Sequence, residues 1–255
     1  MRKLILFLAI VVGLSMQGVA QDYKLKTIVI DPGHGGIAPG SVGKISKEKD
    51  ITLEVSLKLG KMFQEQMPDV KIIFTRKTDI TVDLDRRAAI ANDAKADIFI
   101  SIHANSMPPG SKAVGTETIV AGTGRLNEQD AALRENADMK LEKNYQEKYK
   151  DFTNGNPETN IILSLLKNTF REKSILLAKY IQDNYTNVNK RVNRGVKEQN
   201  LLVLQRCGMP AVLTEIGFIN NQQEELYMNS EEGQKEIVTA IFNAVKLYRS
   251  ELEKK

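Results

Sequence analysis

The amino-acid sequence predicts a single α/β domain with a central, mostly parallel, twisted sheet and helices on both faces of that sheet. Three observations predict this fold. Short apolar or β-branched runs recur along the 255 residues, amphipathic helical patterns separate most of them, and no internal repeat or low-complexity linker divides the chain. With 42% hydrophobic residues, a chain of this length can bury a sizeable core.

Six runs are predicted as strands because β-branched and apolar residues dominate them. They are residues 27–31 (TIVID), 71–75 (KIIFT), 97–103 (DIFISIH), 116–120 (TETIV), 201–204 (LLVL) and 211–217 (AVLTEIG). Residues 49–67 place Ile51, Val55 and Leu59 at helical spacing, and residues 84–96 form a shorter predicted helix. Strands and helices therefore alternate in the manner of βαβ units.

The segment 122–170 interrupts this alternation and is predicted as a helical insertion. It carries many charges and no clear strand pattern, and residues 128–152 form a helix-forming run. Beyond it, residues 174–186 are predicted as an amphipathic helix with Ser174 as its N-cap. A long helix, residues 231–255, is expected to close the chain.

The first 20 residues have the features of a secretory signal peptide. Two basic residues precede an apolar run over residues 4–14, and small residues follow at Gly18 and Ala20. An uncleaved membrane anchor is the alternative, but the apolar run is shorter than the roughly 20 residues that a spanning helix needs. We expect cleavage after Ala20 and an exported, periplasmic protein that is not attached to the membrane afterwards.

Charge and cysteine content narrow the remaining classes. Loss of Arg2 and Lys3 with the signal peptide lowers the formal net charge from +4 to +2, which gives no strong attraction to nucleic acid. The only cysteine, Cys207, cannot form an intramolecular disulfide, so an exported domain has to be stabilised by its core or by a metal. We therefore expect no nucleic-acid partner and assign no chemistry to Cys207.

Both histidines of the chain lie at the ends of predicted strands. His34 follows the run VIDPG, and His103 ends the run FISIH. Because the carboxyl ends of parallel strands meet at one edge of a sheet, the two side chains can converge there. Imidazole is the commonest transition-metal ligand, and a catalytic zinc site usually has three protein ligands. Glu48, at the start of the helix after the first predicted strand, is the candidate third ligand.

A second acid, Glu215, ends the last predicted strand and is expected to face the same edge. Zinc lowers the pKa of a bound water to about 7, and a free carboxylate nearby can accept the proton of that water. Two histidines, one ligating carboxylate and one free carboxylate thus make a hydrolytic set. Each residue also has another explanation: the histidines can be structural, Glu48 can be a solvated acid at a helix start, and Glu215 can pair with an arginine.

Five motifs follow one another between residues 26 and 248. They are IDPGHGG, KEKDITLEVSLKL, FISIHAN, NRGVKEQNLLVLQRCGMPAVLTEIGFINN and IVTAIFNAVKLY. Together and in this order they resemble the zinc-dependent N-acetylmuramoyl-L-alanine amidases, of the catalytic-domain type shared by bacterial cell-separation and spore-cortex amidases. Several ordered motifs are far more specific than one short motif.

The resemblance implies an amidase catalytic domain over residues 26–250, with one zinc ion held by His34, Glu48 and His103 and with Glu215 in catalysis. It implies cleavage of the amide between N-acetylmuramic acid and L-alanine of the peptidoglycan stem peptide, in cell-wall remodelling or daughter-cell separation. Histidine and carboxylate ligands also suit other divalent ions, so the ligand set alone does not fix the metal.

Three polar residues are candidates for contacts with the substrate or with the metal ligands: Asp31, Asn105 and Arg194. Asp31 can accept a hydrogen bond from a ligand or cap a turn. Asn105 can bind the substrate or hold its own loop. Arg194, together with Arg191 and Lys197, can meet carboxylates of the stem peptide or lie in a solvated loop.

The insertion resembles the extra segment of those family members in which it blocks the zinc until a partner protein displaces it. By that resemblance an acid such as Glu135, Glu142 or Glu147 takes the fourth position on the zinc. The alternative is a charged helix that is simply solvated. The expected partners are therefore peptidoglycan and an activator protein.

Two further functions are compatible with the sequence. A zinc peptidase that cuts within the stem peptide would use the same ligand set. A non-catalytic wall-binding or regulatory protein would keep the scaffold, but the three ligand positions and Glu215 are all filled, which favours the enzyme.

Overall fold

The computed structural model describes residues 24–108, 110–122, 129–154 and 157–254, with side chains described outside residues 153–168. The predicted signal peptide, residues 1–20, lies outside the described residues. The strands are β1 (Thr27–Pro32), β2 (Lys71–Phe74), β3 (Ile98–Asn105), β4 (Thr116–Ala121), β5 (Asn193–Gln199) and β6 (Ala211–Phe218). The helices are α1 (Glu48–Gln66), α2 (Leu84–Asp93), α3 (Asp130–Glu135), a 3₁₀ helix (Asn136–Leu141), α4 (Tyr145–Lys148), α5 (Lys150–Asn154), α6 (Pro157–Asn187), α7 (Leu202–Gln205), α8 (Gln222–Asn229) and α9 (Glu231–Leu252).

The strands form one sheet in the order β2-β1-β3-β6-β4-β5. Strands β2, β1, β3 and β6 are parallel, whereas β4 is antiparallel to β6 and parallel to β5. The mostly parallel α/β architecture confirms the predicted fold class. Because β4 runs the other way, its first residues lie beside the last residues of β6, at the edge that we call the carboxyl edge.

Two apolar clusters cover the two faces of the sheet, because successive strand residues point to opposite sides. The first face packs against α1, α6 and α9 and includes Ile28, Ile30, Ile100, Ile102 and Val212. The second face packs against α2, α7 and α3 and includes Val29, Phe99, Ile119 and Leu213. From the insertion, Ala131 and Ala132 of α3 belong to this second cluster. The insertion is therefore part of the core as well as a surface segment.

Two neighbouring segments differ from the prediction. Residues 201–204, predicted as a strand, are mostly helix α7, and the strand beside β4 is β5 instead. Periodicity cannot separate a four-residue apolar run from a buried helical turn, and this run packs on the second face of the sheet. The sequence did not indicate β5 because it is an outermost strand, where half-buried polar residues such as Arg194 and Lys197 replace the apolar pattern.

The helix after the insertion begins earlier than predicted. Ser174 lies inside α6 and is not its N-cap. Its hydroxyl donates a hydrogen bond to the carbonyl of Phe170 and accepts one from the backbone N–H of Ala211, so it ties α6 to the start of β6. Polar residues that satisfy backbone groups inside a structure give the same sequence signal as a helix cap.

The helical run 128–152 is divided into short helices. Asn144 has the left-handed φ of 56° and separates the 3₁₀ helix from α4. Among the described helices, none combines the length and apolarity that crossing a membrane requires.

Candidate metal centre and active site

The carboxyl edge collects polar residues from neighbouring strands. His103 on β3 is the register partner of Glu215 on β6, and Asp31 on β1 is the partner of Ser101 on β3. All four lie on the second face, because they alternate along their strands with apolar residues of the first face. Strand order thus brings together residues that are far apart in the sequence.

His34 lies two residues beyond β1 in a tight turn. Its φ of 56° is in the left-handed region, which few residues other than glycine adopt. A Cβ atom at Gly33 would lie 2.4 Å from the ring of His103, and one at Gly40 would lie 2.6 Å from the ring of His34. Any side chain at these two glycines would therefore prevent the close approach of the two rings.

Four buried side chains direct donor atoms at one point. Nε2 of His34 lies 3.1 Å from Oε1 of Glu48 and 3.1 Å from Oε2 of Glu135. Nδ1 of His103 lies 3.1 Å and 2.8 Å from the same two oxygens. One donor atom from each of the four residues lies within 4.8 Å of the other three. The structure thus brings together the three predicted ligands and Glu135, one of the three acids that were candidates for the fourth position.

This group of donors fits a divalent metal ion. Imidazole nitrogens and carboxylate oxygens are zinc ligands, and tetrahedral bonds of about 2.0–2.1 Å place the donors about 3.3 Å apart, near the observed separations. Nε2 of His34 and Oε2 of Glu135 are buried without a hydrogen-bond partner among the described residues, and both face the shared centre. A cation at that centre would satisfy both atoms.

The two buried carboxylates of the centre, Glu48 and Glu135, need positive charge beside them. Burial lowers the pKa of His103, but Glu135 and Glu48 outweigh burial and raise that pKa to about 10. Burial raises the pKa of Glu48, but His34 and His103 outweigh it and hold that pKa well below its usual range. Without a metal, positive charge on the histidines balances the two carboxylates. Metal binding therefore has to release these protons.

Backbone groups and an acid of the insertion orient the donors. Glu48 accepts hydrogen bonds from the backbone N–H groups of Ala104 at 2.9 Å and Ser41 at 2.7 Å. Nδ1 of His34 lies 2.8 Å from Oδ2 of Asp138, in the 3₁₀ helix of the insertion. The sequence reasoning missed Asp138, although it follows Glu135 at the i, i+3 spacing that places two side chains on one helix face.

Asp31 is buried near the centre, and its carboxylate forms no hydrogen bond with the ring of His34 in the described structure. Its carboxylate accepts hydrogen bonds from Thr75, Ser101 and Arg87 at 2.5, 2.7 and 2.7 Å. Arg87 also donates a hydrogen bond to the backbone carbonyl of His34 at 2.7 Å. Asp31 therefore acts on His34 through Arg87 and the backbone, rather than by accepting a hydrogen bond from the ring.

Glu215 is fully buried beside the centre. Neither of its carboxyl oxygens has a hydrogen-bond partner among the described residues, and Nη2 of Arg134 lies 3.9 Å from Oε1. Burial, followed by the negative charge of Glu135, raises the pKa of Glu215 well above its usual range. A carboxyl group with a raised pKa can accept and return a proton near neutral pH, as general acid–base chemistry requires.

Two consecutive residues at the end of α3 cover this site. Glu135 approaches both histidines of the centre, while Arg134 donates a hydrogen bond of 2.5 Å to Oδ1 of Asn105. Nδ2 of Asn105 donates in turn to Glu117 on β4. In this conformation Asn105 therefore binds both the insertion and β4, and Nη2 of Arg134 from the insertion lies 3.9 Å from Oε1 of Glu215.

The other two acids that were candidates for the fourth position lie elsewhere. Glu147 is exposed, and Glu142 is one of three carboxylates around the ammonium group of Lys148. Nζ of Lys148 lies 2.6, 2.7 and 2.8 Å from Asp83, Asp85 and Glu142 respectively. We call these four residues the insertion anchor, because they fasten the insertion to the start of α2. Glu135 is thus the acid of the three that reaches the centre.

The basic residues ahead of residue 200 separate into two groups. Lys197 and Arg194 lie beside Glu117, with Nζ and Nε at 2.7 and 3.5 Å from its Oε2. Arg191, expected to lie with them, binds Glu224 at 2.7 Å instead. The position of Arg194 near Glu117 was not foreseeable from a segment that reads as a loop.

Known proteins are similar to this chain in both sequence and fold. A family profile described as N-acetylmuramoyl-L-alanine amidase matches residues 28–247. The N-acetylmuramoyl-L-alanine amidase AmiC of Escherichia coli is 28% identical over 228 residues, which are 87% of this chain and 52% of AmiC. The chain spans about half the length of such curated relatives.

Two solved structures extend this comparison to three dimensions. The N-acetylmuramoyl-L-alanine amidase from Clostridium difficile 630 superposes with a TM-score of 0.66 at 28% identity, covering 89% of this chain and 97% of that chain. The CwlD amidase from Clostridioides difficile, solved in complex with the GerS lipoprotein, has a TM-score of 0.65 at 27% identity and covers 88% and 98%. With the family profile extending from β1 to α9, this chain belongs to the N-acetylmuramoyl-L-alanine amidase family.

Proposed function

We propose that this chain is a zinc-dependent amidase of peptidoglycan, which cleaves the amide between N-acetylmuramic acid and the L-alanine of the stem peptide. The observation that carries this proposal is the convergence of His34, Glu48 and His103 beside the buried Glu215, in a domain of the amidase family. Zinc suits these donors better than magnesium or calcium, because two of them are imidazole nitrogens and the harder ions prefer oxygen.

Each residue of the set has a proposed role. His34, Glu48 and His103 hold the zinc ion, which supplies Lewis acidity to the scissile carbonyl and to a water molecule. Glu215 accepts the proton of the attacking water and delivers it to the departing nitrogen of L-alanine. Arg87 fixes the backbone carbonyl of His34, so that this ligand keeps its orientation during the reaction.

The conformation described is proposed to be a closed, inactive state. Glu135 takes the fourth donor position, which a catalytic zinc site keeps open, and Arg134 covers the approach to Glu215. A partner protein that displaces α3 would open both positions together. The complex of the related CwlD amidase with a lipoprotein supports a protein partner for this chain as well.

The proposed setting is the cell wall, reached by export. The signal-peptide pattern of residues 1–20 supports this route. We propose a periplasmic protein that acts in cell-wall remodelling or daughter-cell separation.

Digestion of purified peptidoglycan by residues 21–255, with and without a chelator, tests the proposed reaction. We expect mass spectrometry to find intact stem peptides that begin with L-alanine, no such products after chelation, and recovery when zinc is added back. The variant E135Q is digested in parallel because it is expected to favour the open state. Cuts within the stem peptide would identify a peptidase. If neither the wild type nor E135Q released metal-dependent products, a wall-binding protein would be favoured instead.

A further inference from the structure

A small polar cavity lies on the same face of the sheet as Glu215 and His103, next to β4 and β5 and so on the opposite side of Glu215 from His103. Its volume is about 90 Å³, and its walls include Asn105, Glu117, Arg134, Arg194, Lys197 and Phe218. Three of these six residues are cations and one is a carboxylate, and Asp130 is a second carboxylate in the wall. The proposed reaction as described above uses none of the charged residues of this cavity.

Strand register fixes the cavity relative to Glu215. Glu117 on β4 is the register partner of Glu215 on β6, so their side chains leave the same face of the sheet. Strand β5 follows β4, and Lys197 and Arg194 reach from it back to Glu117. Since adjacent strands are about 4.8 Å apart, the two cations lie roughly 10 Å or less from the strand that carries Glu215.

Arg194 keeps hydrogen-bonding capacity for a ligand. Its guanidinium lies over the ring of Phe218, 4.9 Å from the ring centroid, which holds the guanidinium in a fixed orientation. Its Nε has no hydrogen-bond partner among the described residues, because the 3.5 Å separation from Glu117 is too long for a good hydrogen bond. About a third of the side chain, 32%, is exposed.

The charge balance of the cavity changes when the insertion leaves. In the closed state α3 contributes Arg134 and Asp130 to the walls. Without α3, Arg194 and Lys197 remain opposite Glu117, the one carboxylate left among the residues described as lining the cavity. Two cations then face one anion beside an open cleft, and such an excess of positive charge favours one further carboxylate.

We propose that this cavity binds the carboxylate of the stem residue that follows L-alanine. The inference rests on the proposed amidase function. An extended peptide advances about 3.3–3.6 Å per residue, so a substrate with its scissile amide at Glu215 and its stem running toward β4 places the next residue over β4 and its carboxylate near β5. In peptidoglycan this residue is a γ-linked glutamate whose α-carboxyl group is either free or amidated. Arg194 and Lys197 therefore select the free acid.

The test compares two substrates that differ in one functional group: N-acetylmuramoyl-L-alanyl-D-glutamate and its α-amide, the isoglutamine compound. Both are mixed with the intact zinc-loaded chain, and separately with E135Q, and the ratio of kcat/KM is read from the released dipeptides. We expect a preference for the acid of about tenfold or more, the scale of a charge-assisted hydrogen bond. The ratio is independent of how much enzyme is folded or open, because both substrates compete for the same molecules.

Variants of Arg194 assign the preference to the cavity. R194Q is expected to reduce the preference for the acid to within about threefold, through a larger rise in KM for the acid than for the amide. R194E is expected to prefer the amide. The matched control is R86Q on α2, because Arg86 is an exposed arginine that pairs with the exposed Asp93. R86Q should keep the wild-type ratio of kcat/KM.

Equal kcat/KM values for the two substrates, or an unchanged preference in R194Q, would overturn the subsite while leaving the amidase function in place. Purified peptidoglycan with free and with amidated glutamate serves as a second matched pair, so that a requirement for polymer does not hide the comparison. Cleavage of none of these substrates by either protein would contradict the amidase function, and the subsite with it.

Discussion

Oδ2 of Asp138 lies 2.8 Å from Nδ1 of His34, whereas the other ring nitrogen, Nε2, faces the candidate metal centre. A carboxylate at this position fixes the tautomer and orientation of a histidine ligand and makes it a stronger donor. The insertion therefore contributes to the centre twice, through Glu135 directly and through Asp138 behind His34.

We expect D138A to weaken zinc binding about 10- to 100-fold, the range measured for such supporting carboxylates. D138N keeps an acceptor oxygen and should lose less. Zinc affinity is measured by competition with a chelator of known affinity, with D151N, an exposed acid of α5, as the control. An affinity in D138A equal to that of the wild type would show that Asp138 only packs against the ring.

E135Q is expected to raise amidase activity. The substitution removes the negative charge that holds α3 on the centre, and charge-assisted contacts of this kind contribute about 1.5–3 kcal/mol. A shift of that size increases the open fraction about tenfold or more while the closed state dominates. Muropeptide release is measured beside E147Q, an exposed acid of the same insertion, which should not change the rate. A rate in E135Q no higher than that of the wild type argues against occlusion.

K148M tests the insertion anchor at a distance from the centre. Loss of the ammonium group leaves Asp83, Asp85 and Glu142 facing one another without a counter-charge. For such partly exposed pairs we expect the closed state to lose about 1 kcal/mol of stability relative to the open state. Activity should therefore rise about fivefold. Limited proteolysis should cut the insertion faster than in K143M, whose lysine is exposed. Equal proteolysis and equal activity in the two variants would remove the anchor from the closing mechanism.

E215Q is expected to retain zinc and lose hydrolysis, because Glu215 faces the centre without being one of its four donors. General acid–base groups contribute about 10²- to 10⁴-fold to the rate, and a loss in this range is expected in kcat. H34A should lose zinc as well as activity. The two measurements are kcat on peptidoglycan fragments and metal content after dialysis. Undiminished turnover by a zinc-loaded E215Q would exclude Glu215 as the proton acceptor.

D31N tests the support beneath the centre through the pH dependence of stability. Burial raises the pKa of Asp31, but Arg87 and the hydroxyls of Thr75 and Ser101 outweigh it and lower that pKa below its usual 3.8. The ionised carboxylate therefore contributes stability that is complete above pH 3.8 and is lost as the pH falls through the lower, folded-state value.

At pH 7 we expect D31N to lower the free energy of unfolding by about 3–5 kcal/mol, since it leaves Arg87 buried without its carboxylate. The difference from the wild type should narrow below pH 3.8. Urea unfolding at a series of pH values measures both. A difference that stays constant to the lowest pH at which the protein folds would mean that the charge of Asp31 does not matter.

The sequence predicted those features of the fold and the site that depend on a local pattern of residues. Buried parallel strands read as apolar runs, and polar residues at their ends mark the carboxyl edge, which singled out His34, His103 and Glu215. Glu48 could also be predicted from a local pattern, because it begins the helix that directly follows the loop of His34.

Other features depend on contacts that no local pattern records. The position of Asp138 behind His34 follows from how the insertion folds back across the sheet, about 100 residues later in the chain. The pairing of Glu117 with Lys197 likewise requires β5, an outer strand whose polar residues give no strand signal. Sequence periodicity describes one element at a time, and these sites are made between elements.

Ala131 and Ala132 are each only 2% exposed, on the same short helix that covers the site. In the proposed open state, displacement of that helix would expose part of the apolar cluster that includes Ile119 and Leu213 to water. The activating partner that we propose would therefore have to cover this apolar surface as well as displace the helix. Deletion of residues 128–152 would leave this apolar surface exposed, and we expect such a variant to aggregate. Activity would then depend on a partner protein that covers the surface.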